Sequence, residues 1–118
     1  MLRSIGISTK QQDDVTDYDD FRRDYFYYEA LNQMQQENYD AAFQLLNYCN
    51  KIDSTSAAVN YNLAQLYILL NDKTRTTELL NLAIKQDPDN YWYYNLTGLY
   101  YAQNHKPYQA ISLFEYYL

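Results

Sequence analysis

The amino-acid sequence predicts an all-α protein of three helical hairpins, six helices in all, and three observations predict it. Strong backbone punctuation is confined to Gly6, Gly98, Pro88 and Pro107, too little for a sheet protein built on tight turns. Apolar residues fall on the i, i+3, i+4, i+7 spacing of one helix face, as in Leu63, Leu66, Tyr67 and Leu70, or Ala42, Leu45, Leu46 and Cys49. Four series recur at 34-residue intervals: Ala30, Ala64, Gly98; Ala42, Thr76, Ala110; Leu46, Leu80, Phe114; and Cys49, Ala83, Tyr117. A fixed period of that length is the mark of a stacked repeat, in which each unit covers its neighbour's apolar face.

Taken in order, residues 1–18 read as a polar, poorly ordered N-terminal segment, with Gln11, Gln12, Asp13 and Asp14 and no repeat. Order is expected to begin near Asp19 or Asp20, either of which can cap a first helix carrying Phe21, Tyr25, Tyr28 and Leu31. The helices are expected at 20–36 and 39–51, at 56–70 and 73–86, and at 89–103 and 106–118. Asn38 and Asp72 are placed to cap the second helix of the first two pairs. Pro88, after Asp87, ends one helix and has its φ already set for entry to the next.

A chain of 118 residues suits one domain. Its 16 Tyr against 4 Phe and 1 Trp mean that much of the apolar volume carries a hydroxyl needing water or a partner. The net charge of −6 and the acidic pI near 4.5 would repel phosphate backbones and anionic lipid, so no nucleic-acid partner is expected. No run approaches the ~20 apolar residues that span a bilayer, and none resembles the core of an export signal, so no membrane insertion is expected. A cytoplasmic location follows if Met1 is the true start. An exported one follows if the chain is a fragment of a longer precursor. The lone cysteine, Cys49, excludes an internal disulfide.

The recurring residues resemble the tetratricopeptide repeat over positions 23–118. In the third unit Tyr94, Gly98, Tyr101, Ala110 and Phe114 occupy the pattern's aromatic, glycine, tyrosine, alanine and phenylalanine places. In the second unit Leu63, Ala64, Tyr67, Leu80, Ala83 and Pro88 do so. In the first, Phe26, Ala30, Ala42 and Leu46 fit, while Gln33 replaces Tyr and Ser54 replaces Pro. The resemblance implies a right-handed α-α superhelix, or solenoid, occupying 19–118, with repeats at about 23–56, 57–90 and 91–118. Its chemistry has a simple basis: helices approach to about 8–10 Å only where the residues at the crossing are small.

The same resemblance implies a concave groove lined by the first helix of each pair, holding a partner peptide or helix. Its candidate residues here are Tyr27, Tyr28 and Leu31, with Asp24; Tyr61, Asn62 and Gln65; and Trp92, Asn95 and Leu99. This set is aromatic and amide-rich and lacks the Lys and Arg with which co-chaperones of the family grip a C-terminal carboxylate. The function that follows is a protein-protein interaction scaffold. The alternative is a docking or regulatory segment of a larger enzyme or signalling protein. The last helix carries Ile111, Phe114, Tyr117 and Leu118 with no polar helix after it, so the expectation is that further repeats follow in the full-length product or, second, that two chains self-associate end to end.

Catalysis, cofactors and metals find no residue set. Cys49 belongs to a buried packing series and His105 to an inter-helix turn, so nucleophile and base are not expected to meet. No zinc spacing is present. The acidic run Asp13, Asp14, Asp17, Asp19 and Asp20 lacks the glycine and closing glutamate of a calcium loop.

Overall fold

The computed structural model describes the backbone of residues 2–117 and the side chains of Tyr18 and residues 20–116. It contains six helices and no strand among the described residues: α1 (Leu2–Gln35), α2 (Tyr39–Ile52), α3 (Ala57–Leu69), α4 (Lys73–Gln86), α5 (Tyr91–Gln103) and α6 (Pro107–Tyr117). The helices pair as α1 with α2, α3 with α4, and α5 with α6, and α4 also packs on α5. The chain divides into two compact units, Met1–Ser54 with the first hairpin and Thr55–Leu118 with the second and third.

The first helix departs from expectation at its start. It runs from Leu2, so neither Asp19 nor Asp20 is an N-cap. The physical reason is that residues 2–18 hold no proline and a single glycine, so nothing stops the i→i−4 ladder. The side chains of the polar lead-in, including Asp13, Asp14, Asp17 and Asp19, lie outside the described residues. Tyr25 and Tyr28 face solvent. Contact with α2 is made instead by Phe26, whose ring meets Tyr48 edge-on at 5.0 Å, and by the fully buried Ala30.

The 34-residue interval governs backbone as well as side chains. First helices end at Gln35, Leu69 and Gln103, and second helices begin at Tyr39, Lys73 and Pro107. Between them stand Glu37, Asn71 and His105, each left-handed with φ of 62°, 57° and 60°. The following N–H reaches back to close the helix: Asn38 to the Gln33 carbonyl at 2.8 Å, Asp72 to Tyr67 at 3.0 Å and Lys106 to Tyr101 at 2.8 Å. These are glycine-less Schellman closures, which satisfy carbonyls that the helix end would otherwise leave bare.

Helix starts are capped unevenly. The Ser56 hydroxyl accepts from Val59 N–H, the Asp72 carboxylate from Arg75 N–H and the Asn90 side-chain Oδ1 from Trp92 N–H. Asn38 occupies the cap position of α2 but makes no side-chain cap bond; its amide donates to Gln33 instead. Pro88 lies in the turn after the α4 cap, Asp87, and α5 starts three residues later, at Tyr91.

The small-residue series lies in the core. Ala30, Ala42, Ala64, Thr76, Gly98 and Ala110 are all buried. At Gly98 the need is direct, since a Cβ there would stand 2.5 Å from the Phe114 ring. Leu46 and Leu80 are fully buried, each contributing about 1.5–3 kcal/mol by leaving water.

Candidate functional site

The expected site residues sit on α1, α3 and α5, and each compact unit presents its own set. In Met1–Ser54, Tyr27 and Leu31 are half-buried and one turn apart on α1. Tyr28 is 67 % exposed and its ring meets Tyr27 edge-on at 5.5 Å. Arg23 on the same helix is held by Asp53 at 3.1 Å, with Asp20 and Asp24 each at 3.7 Å. Arg22 lies over the rings of Tyr18 and Tyr48 at 5.3 and 5.5 Å, within cation-π range.

In Thr55–Leu118, α3 and α5 are joined by the rings of Tyr61 and Tyr93, 4.8 Å apart and tilted by 36°. Tyr61 and Ile68 pack on the core formed by Ala64, Leu80 and Tyr100. That burial raises the Tyr61 phenol pKa above its ordinary value, so the ring presents a neutral hydroxyl. Trp92 is 64 % exposed and Leu99 48 % exposed, two helical turns apart on α5. The Tyr91 hydroxyl donates to the Asn95 side-chain Oδ1 at 3.4 Å, and the Tyr91 ring meets Trp92 edge-on at 5.4 Å.

Asn62 differs from its expected place. Only 8 % exposed, it donates to the Ala58 carbonyl at 2.9 Å and accepts from Gln65 at 3.2 Å. Both bonds lie within α3, and the second orients Gln65. Tyr93 is the residue that sequence reasoning missed. The available signal was its 34-residue partner Val59, since both are buried at the same repeat position.

The other reactive groups stand apart from these faces. Cys49 is fully buried in the first unit, its thiol 3.6 Å from the Arg23 carbonyl, and burial pushes its pKa up. A raised pKa keeps the sulfur as the poorly nucleophilic thiol. His105 is exposed in the turn of the third hairpin. Among the described residues no helix is long and apolar enough to cross a membrane.

Comparison with known proteins settles the family. The tetratricopeptide repeat model matches residues 33–100, more than half of the chain. The chain belongs to the tetratricopeptide repeat family. Its fold is that of a helical repeat solenoid, shared with crystal structures of MamA. One aligns with a TM-score of 0.72 at 18 % identity, over 79 % of this chain and 54 % of that one. A MamA mutant aligns with a TM-score of 0.69 at 28 % identity, over 80 % of this chain and 55 % of the other. The tetratricopeptide repeat chain thus spans about half the length of these MamA structures. No curated protein matches it significantly in sequence.

Proposed function

We propose that this chain is a protein-interaction module that receives a partner peptide on the inner helices of its repeats. The observation that carries the reading is the exposure of Trp92 and Leu99 on α5, beside the Tyr61–Tyr93 ring contact that fixes α5 against α3. Exposed large apolar groups beside amides are a composition enriched where proteins meet. On α3 and α5 the receiving residues are Tyr61, Gln65, Trp92, Asn95 and Leu99, with Asn62 holding Gln65 in place. Tyr27, Tyr28 and Leu31 form the corresponding face of α1. Family membership supports the scaffold role by analogy, since one fold serves many partners. The exposed Tyr108 and Ile111 on α6 support self-association as a second contact.

The test compares capture of cellular proteins by wild-type chain and by the Tyr61→Ala/Trp92→Ala variant. The expected result is a partner retained by wild type, little affected by added salt, and lost by the variant. Identical capture by both proteins would contradict the reading.

A further inference from the structure

Neither α3 nor α5 contains a single Asp, Glu, Lys, Arg or His in its 13 residues. The charged groups of the same unit lie off these helices: Asp72, Lys73, Arg75, Glu78 and Lys85 at the start of or on α4, Asp87 and Asp89 in the turn before α5, and Lys106 and Glu115 near the ends of α6. An ionised side chain pressed onto this face would lose water and find no counter-ion on either helix. The face therefore selects by charge as well as by shape.

Its polar groups narrow the occupant further. Asn95 accepts from Tyr91 through its oxygen, which leaves its two N–H donors. Gln65 donates to Asn62 through its nitrogen, which leaves its oxygen as an acceptor. A donor on one helix and an acceptor on the other match the two groups that a peptide backbone offers. A helical partner has already spent its backbone N–H and C=O groups internally, whereas an extended one has not. Trp92 and Leu99 stand about 10 Å apart along α5, roughly the span of three residues of an extended polyproline II chain, in which residues i and i+3 share a face.

We infer that the α3/α5 face binds an uncharged, extended peptide segment, with apolar side chains about three residues apart against Trp92 and Leu99 and its backbone on Asn95 and Gln65. The inference rests on the proposed function and specifies the chemistry of the partner.

The probe is a random synthetic library of acetylated, amidated peptides of about 12 residues, some 40 Å when extended, screened against the full chain. Selected peptides are titrated while following emission of Trp92, the sole tryptophan. The expected binders are depleted in Asp, Glu, Lys and Arg and shift Trp92 emission to shorter wavelength. Their Kd should change by less than about twofold between about 0.05 and 0.5 M salt. Leu99→Ser, with unchanged far-UV dichroism, should weaken them about tenfold or more.

Binders rich in charged residues, or released steeply by salt, overturn the uncharged-peptide inference and leave the binding face standing. Binders that leave Trp92 emission and the Leu99→Ser affinity unchanged overturn the binding face itself. A library without any binder overturns both.

Discussion

The two compact units keep one packing register and present different surfaces. In Met1–Ser54 the first helix, α1, is charged, with Arg23 tied to Asp53 and Arg22 resting on two tyrosine rings. In Thr55–Leu118 the first helices of the two hairpins, α3 and α5, carry no charge and meet through Tyr61 and Tyr93. Yet Ala30 and Ala42 in the first unit are as deeply buried as Ala64 and Thr76 in the second. The crossing residues are fixed by the distance between helix axes, while the outward residues are left to whatever the surface must meet.

The sharpest way to break this comparison is to enlarge a crossing residue in each unit. Ala30→Leu and Ala64→Leu should each cost ~1–3 kcal/mol by overpacking, read as a fall in the urea midpoint at unchanged slope. A large cost in one unit and none in the other would show that the register is not shared.

A smaller effect separates the second helices of the first two hairpins. Asp72 accepts from Arg75 N–H and Asn38 makes no cap bond. Asp72→Ala should therefore lower stability by ~1 kcal/mol, and Asn38→Ala by no more than about 0.5 kcal/mol. Equal losses in thermal unfolding would contradict the difference in capping.

The crossings were legible in the sequence because a small residue at a fixed period leaves a trace that no surface pressure erases. Ala30, Ala64 and Gly98 pointed directly to buried positions. The left-handed closures at Glu37, Asn71 and His105 were not legible, since the usual glycine is absent and only the backbone reveals them. The start of α1 was misplaced because aspartates that could cap a helix can also lie within one. On the site, Trp92 and Leu99 were candidates through the family resemblance, and both are exposed on α5. Asn62 was not resolved so well, because Asn62 and Gln65 look alike as exposed amides until the hydrogen bond between them shows which is held inward.

The most direct test of the close-packed repeat is a double-mutant cycle at the third hairpin, where a Cβ on Gly98 would collide with Phe114. Gly98→Val, Phe114→Ala and the double variant are compared by urea unfolding. The double variant should be more stable than the sum of the single losses predicts, by about 1 kcal/mol or more, because removing the ring relieves the clash. Strictly additive losses would mean that residues 98 and 114 do not meet, and would contradict the crossing on which the repeat depends.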